Sequence, residues 1–322
     1  MLRVLRLLGT LVLALAVLAG ILAFMAWREV DAPGPLAEPA QVVIPRGGTG
    51  AIADALAERG VISDARLFTA AAVLTRSEGP LRAAEFAFPA RASIRQVLTV
   101  LREGRPVQRR LTIAEGLTAR QITLLIDNME GLTGETPPIA EGALLPETYA
   151  FTLGDSRASL VRRATAAMEQ AVEEAWAART PNLPLASPRE AVILASIIER
   201  ETGVAGERGL VGGVFINRLR RGMMLQSDPT VAYGAGQGMP LDRALTRADL
   251  NEDHPFNTYR IRGLPPGPIA SPGRESLRAA TQPETTDYLY FVADGTGGHA
   301  FGRTLEEHNR NVARWRALRR AQ

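Results

Sequence analysis

A chain of 322 residues in which 46% are hydrophobic can build one large domain or two smaller ones around a sizeable core. Its 37 basic residues are all arginine, the net charge is only +3 and aromatics make up 5%, so the composition carries no mark of a nucleic-acid-binding surface. There is no cysteine, which excludes disulfides, thiolate metal sites and cysteine nucleophiles.

The chain opens with Leu7–Trp27, an uncharged run dominated by Leu, Ala and Val. Roughly 20 such residues span a bilayer as a helix. Arg3 and Arg6 precede the run, which keeps residues 1–6 on the cytoplasmic side and sends the rest across, with Trp27 at the far interface. A cleaved signal peptide is the alternative, but its apolar core is shorter, about 7–15 residues. A retained anchor over 7–27 is the expectation. The Pro-rich stretch that follows, to residue 40, reads as a linker.

Residues 41–105 form a small unit. Val42–Ile44 is a strand candidate. Thr49–Arg59 and Ala65–Leu74 are helix candidates. Glu85–Phe88 alternates like a strand, and Ser93 with Gln96 makes a capping box before Val97, Leu98 and Leu101. This βααβ-type order fits either a spacer or a carbohydrate-binding module of LysM type.

From residue 106 the pattern restarts. Arg109–Ile113 is a strand candidate. Thr118 and Gln121 cap a helix carrying Ile122, Leu125 and Ile126 on one face. Pro146 interrupts any regular element between Leu144 and Tyr149, and Ser156 opens a long amphipathic helix to about Ala178. The stretch Ser187–Tyr233 follows. Ser187 caps, Pro188 suits the first helical position, Glu190 completes an S-x-x-E box, and Ala191–Ile198 is apolar almost all round. The helix ends in Glu199-Arg200-Glu201, with Gly203 as its stop. A second helix over about 206–221 leads to Gln226, Ser227, Asp228 and Thr230, which suit either sugar hydroxyls or a turn around Pro229. Beyond Tyr233 the chain is turn-rich until the strand signal at Asp287–Ala293, and Thr304 caps a final helix.

Metal chemistry has little support. The three histidines, His254, His299 and His308, form no paired motif, and the last two read as a turn residue and a helix-face residue. There is no G-x-S-x-G elbow and no phosphate loop. Carboxylates at the end of a buried helix remain. Glu199 and Glu201, two apart, do not face one another. Helical spacing places Glu201 near Leu194, Ile197 and Ile198, a bulkier apolar setting than that of Glu199. Desolvation and the negative helix end both raise a carboxyl pKa, as a general acid requires. Arg200 and Arg208 stand nearby as partners that would oppose this, so either glutamate can equally be a plain ion-pair partner.

Several long motifs then carry a family resemblance: Ala195–Thr202 (ASIIERET), Val214–Leu219 (VFINRL), Leu225–Thr230 (LQSDPT), Phe256–Tyr259 (FNTY), Gly263–Ile269 (GLPPGPI), Tyr288–Val292 (YLYFV) and Gly298–Phe301 (GHAF). In order and spacing the chain resembles the MltG (YceG-like) endolytic murein transglycosylases. The resemblance implies an α+β protein with an N-terminal transmembrane helix, a small LysM-like βααβ subdomain and a larger mixed α+β catalytic domain over 106–322. It implies anchoring in the bacterial inner membrane with the catalytic part in the periplasm. The implied activity is cleavage of MurNAc–GlcNAc β-1,4 bonds within peptidoglycan strands, with formation of 1,6-anhydroMurNAc, which would trim or terminate nascent strands. Its catalytic glutamate, the second of the E-x-E pair, falls on Glu201. No metal or cofactor is implied. The partners are the glycan strands, the membrane and, by family habit, peptidoglycan synthases. Candidate cleft residues are Glu147, Asn217, Gln226, Asp228, Thr230 and Tyr259. Two departures stand out: Phe256 replaces a frequent Tyr, and Glu147 replaces a common Asp.

Overall fold

In the computed structural model, which describes residues 2–321, the first element is helix α1, Leu2–Asp31. Its segment Gly9–Asp31 is apolar, unburied and long enough to cross a membrane. The helix runs four residues past Trp27, into the stretch assigned to the linker, because nothing before Pro33 breaks it. The rest of that stretch is fastened down. Gly34 N–H donates to Arg91 O (3.1 Å), Arg91 N–H donates to Leu36 O (2.8 Å), and Leu36 packs on apolar neighbours.

The chain divides into two compact units, one of residues up to Arg109 with Thr152–Gly154, the other of the remainder. In the first, β1 (Ala40–Val43) precedes α2 (Thr49–Glu58) and α3 (Ala65–Leu74); β2 (Glu85–Phe88) and α4 (Ile94–Glu103) follow. β1 and β2 pair antiparallel with Val42 opposite Phe86. Alternation turns Val42, Phe86 and Phe88 inward against Leu56, Phe68, Val97 and Leu101, all buried. Both halves of the Ser93–Gln96 capping box form.

The second unit begins in β3 (Arg109–Thr112), then α5 (Ala119–Asp127), β4 (Thr148–Phe151) and α6 (Arg157–Ala177). β3 pairs with β4. Strand β4 starts two residues after Pro146, at a place where the proline argued against regular structure; Leu144 and Leu145 beside it are fully buried. Next come α7 (Pro188–Glu201), α8 (Arg208–Arg220), α9 (Asp228–Gly236), α10 (Arg247–Asn251) and α11 (Arg274–Thr281). The hairpin of β5 (Tyr290–Ala293) and β6 (His299–Gly302) and helix α12 (Leu305–Ala321) complete the unit.

Helices α7, α8 and α11 form the centre. Leu194, Ile197 and Ile198 of α7 pack with Val211 and Phe215 of α8 and Leu277 and Ala280 of α11. Burying each of these Leu, Ile, Val and Phe side chains contributes roughly 1.5–3 kcal/mol. The stretch from Gly234 to Thr281, read as irregular, thus holds two further helices, and the run of glycines from Gly234 is the end of α9. The Ser-Pro-Gly before α11 looks like a breaker, yet Gly273 is its N-cap. Asp228-Pro229 likewise opens α9 instead of making an isolated turn, as proline in a first helical turn allows.

Candidate active site

Ser187 Oγ accepts from Glu190 N–H (3.3 Å), which starts α7 as its sequence predicts. The reciprocal half of the box differs: Glu190 Oε2 accepts from Ala186 N–H (2.6 Å) and not from Ser187. The stop also differs. Thr202 turns extended (φ −135°, ψ 129°), whereas Gly203 needs no positive φ. Glu201 is therefore the last helical residue.

The two glutamates at this end part company. Glu199, its side chain 5% exposed, is held by Arg208 Nη2 (3.2 Å) and accepts from Gly273 N–H (2.8 Å) at the start of α11. It is a tie between helices. Arg208 reaches also to Glu115 (3.3 Å), and Arg200 donates to Gly116 O (3.2 Å). Neither arginine is thus spent on Glu201. Glu201 Oε1 instead accepts a hydrogen bond from Ser227 Oγ (2.5 Å). Burial pushes the Glu201 carboxyl up to about 7; the Ser227 hydrogen bond and the charge of Arg218 oppose this, and the negative charge of Asp228 reinforces it. The negative end of α7 acts in the same direction as burial.

Ser227 is aimed by an unusual backbone. Gln226, though not glycine, has φ +51°, and its N–H donates to Thr258 O (3.1 Å). Ser227 N–H donates to Thr258 Oγ1 (2.9 Å), and Thr230 Oγ1 donates to Ser227 O (2.7 Å). Arg218, 7% exposed, binds the other side of the same turn. It donates to Leu289 O (2.6 Å), Met224 O (3.1 Å), Leu225 O (3.0 Å) and Gln226 Oε1 (3.3 Å), with its guanidinium over the Tyr290 ring.

A cleft of about 350 Å³ opens on Glu201 and is lined by Arg218, Gln226, Asp228, Tyr259, Phe291, His299 and Trp315 among others. Tyr259 OH donates to Asp228 Oδ1 (2.6 Å). Burial first, then this carboxylate, pushes the phenol pKa well above its ordinary value, so it remains a donor.

Of the six cleft candidates, the fold brings three, Gln226, Asp228 and Tyr259, to Glu201. The other three lie elsewhere. Asn217 turns its amide to Thr286 O (2.7 Å) and Tyr288 O (3.1 Å), where it anchors the approach to β5. Thr230 is fully buried and bonded within the frame behind Ser227. Glu147 is exposed and pairs with Arg274 (2.9 Å) away from the cleft. Ser227, which the sequence offers as a sugar-binding or turn residue, bonds to Glu201, and Arg218 of the same stretch braces the turn that carries it. Phe291, His299 and Trp315 come from about 90 or more residues beyond Glu201; the first two lie in motifs of the resemblance, but no local pattern joins any of the three to the cleft. His299 starts β6 rather than occupying the turn. Among the described residues, no group of three or more His, Asp or Glu side chains gathers as a metal site.

The α+β fold presents one protonatable, helix-borne carboxyl to a cleft of mixed polar and apolar lining, an arrangement with the chemistry of a general acid. The comparisons with known proteins narrow this. Residues 42–314 match the profile of the YceG-like family, and the chain belongs to that family. A protein of Bacillus subtilis (strain 168) named endolytic murein transglycosylase is 40% identical over 170 residues, 53% of this chain and 46% of that protein. One of the same name from Streptococcus pneumoniae serotype 2 (strain D39) is 36% identical over 177 residues, 54% of this chain and 32% of that protein. The matches thus span less than half the length of these relatives. The crystal structure of a yceG-like protein of Listeria monocytogenes superposes with a TM-score of 0.53 at 30% identity, covering 85% of this chain and 99% of that one.

Proposed function

We propose that this chain is an endolytic lytic transglycosylase that cuts MurNAc–GlcNAc β-1,4 bonds within peptidoglycan strands. The observation that carries the reading is Glu201: a carboxyl group raised to about 7 by burial, facing a cleft of mixed polar and apolar walls. The name shared by its curated relatives supports it. Protonated Glu201 gives its proton to the glycosidic oxygen as the C1–O4 bond breaks. The resulting carboxylate takes the proton of the MurNAc C6 hydroxyl as O6 bonds to C1 and closes the 1,6-anhydro ring. Glu201 ends protonated, one bond is exchanged for another, and no water is consumed. A single group near neutrality suits both steps. Ser227 holds the carboxyl in place, and Gln226, Asp228 and Tyr259 bind the sugar.

Asp228 beside the acid makes a hydrolytic muramidase the specific rival, since hydrolytic glycosidases generally use two carboxylates. Products separate the two. Sacculi digested with the purified protein are expected to yield 1,6-anhydroMurNAc ends; reducing MurNAc ends alone would identify a hydrolase.

In the same reading, α1 is a retained inner-membrane anchor with the catalytic part in the periplasm, and the first unit is a LysM-like glycan-binding module. Peptidoglycan synthases are its partners and nascent strands its substrate. The anchor is tested by mass spectrometry of the protein from membranes: an intact residue 1 is expected, and a start near Gly20 would mean that the segment is a cleaved signal.

A further inference from the structure

The cleft wall contributed by the β5–β6 hairpin contains a pair with no part in the reaction as derived so far. His299 opens β6 and lines the cleft that holds Glu201. Its ring is gripped from behind. Nδ1 lies 2.7 Å from Glu207 Oε2, and the His299 N–H donates to the other oxygen, Oε1 (2.9 Å). Glu207 sits in the short turn between α7 and α8, so one carboxylate fastens the hairpin to the helices that carry Glu201. Gly298 beside His299 leaves room for the carboxylate: a Cβ there would lie 2.6 Å from Glu207 Oε1, so one of the two would have to shift. Phe291 and Phe301 pack against the ring, with centroids 5.3 and 6.4 Å away. Both polar side chains are largely enclosed, His299 15% and Glu207 18% exposed.

A carboxylate can only accept, so Nδ1 must carry the hydrogen it receives. A neutral imidazole then has its lone pair on Nε2. That nitrogen has no hydrogen-bond partner among the described residues, nor is it among the buried unpartnered atoms. The backbone N–H bond and the two aromatic rings limit the ring's freedom to turn away. Three other polar side chains on the cleft are already engaged within the protein: Tyr259 with Asp228, Gln226 with Arg218, and Glu201 with Ser227.

We infer that His299 is a substrate-binding residue of this cleft: its Nε2, held as an acceptor by Glu207, takes a hydrogen bond from an O–H or N–H group of the bound glycan. The inference rests on the glycan reading of the cleft. It gives the site a sugar contact on the hairpin wall, which the wall formed by Gln226–Asp228 cannot supply.

The test uses the full chain in detergent, in the Glu201→Gln background, where glycan is bound without being cut. Affinity for a peptidoglycan-derived tetrasaccharide is compared for His299 intact, His299→Phe and His299→Gln. Phenylalanine preserves the ring packing but removes the acceptor, and should weaken binding about tenfold. Glutamine, whose amide oxygen accepts, should recover part of the loss, which a merely structural role for the ring would not explain. Independently, nitrogen NMR of the imidazole above its titration range should show the Nδ1-protonated tautomer, and Glu207→Gln should diminish that preference. Equal affinities in all three proteins, or an Nε2-protonated ring in the unsubstituted chain, overturn the assignment while leaving the glycan reading intact. Failure of the Glu201→Gln chain with native His299 to bind the tetrasaccharide contradicts the glycan reading itself, and the His299 assignment falls with it.

Discussion

Two carboxylates two residues apart at the end of α7 have different fates because the helix aims them at different neighbours. Glu199 meets Arg208 and the backbone of Gly273; Glu201 meets Ser227 and a cleft. Helical direction alone favoured Glu201, but only weakly, because Arg200 and Arg208 stood equally close in sequence. The fold turns both away. The raised Glu201 pKa has a consequence for stability. The folded protein holds this proton more tightly than an unfolded chain, in which the group returns to about 4.5. Stability therefore falls as pH rises from about 4.5 to about 7, by on the order of 3 kcal/mol, and this group adds no further change above that range. Glu201→Gln removes the ionisable group. Denaturant unfolding should find the variant more stable than the parent above pH 7 and little different below pH 4.5. A variant that gains nothing above pH 7 would contradict the shift. In the mechanism we propose, turnover starts from the protonated acid, and it should therefore decline as pH rises through about 7.

At the scale of elements, the site depends on how closely α8 and α11 approach. Gly212 of α8 lies where a Cβ would come within 2.5 Å of Ala279 O, and a Cβ on Gly213 would lie 2.6 Å from Glu284 O. Because backbone blocks the space, Gly212→Ala must push the helices apart. It should cost about 1–3 kcal/mol and lower the melting temperature. It should also reduce turnover, since α11 packs on α7 as well. Unchanged melting and activity would show that the contact is not needed. Elements with local signals were legible in the sequence: the capping boxes at Ser93 and Thr118, the alternation of Phe86 and Phe88, the cap at Ser187. Helix α11 was not, because its N-cap glycine follows a proline and looks like a break. The cleft was half legible for a related reason. Asn217 and Thr230 carry the same polar chemistry as Gln226 and Asp228, and only distant partners, Thr286 and Thr258, reveal that they serve the frame. His299 belongs to a motif of the family resemblance, but nothing in its neighbourhood in the sequence ties it to the cleft.

For the whole molecule, the same division between local and distant information holds. The anchor-length helix and the βααβ order of the first unit follow from short-range patterns. The cleft draws on α7, α8, the turn before α9 and its first residue, the loop around Tyr259, the hairpin and α12, residues from 201 to 315. Such a site exists only when the second unit is fully folded, so local opening of the hairpin or of α12 would disable it without touching Glu201. In the proposed function one carboxyl group, that of Glu201, performs the chemistry in this assembled cleft. Its most direct test compares the native protein with Glu201→Gln on purified sacculi, following released 1,6-anhydroMurNAc ends and, in parallel, sacculus binding. Abolished release with binding largely retained is the expected result; release of anhydro ends by the variant at a rate near that of the native protein would rule this role of Glu201 out.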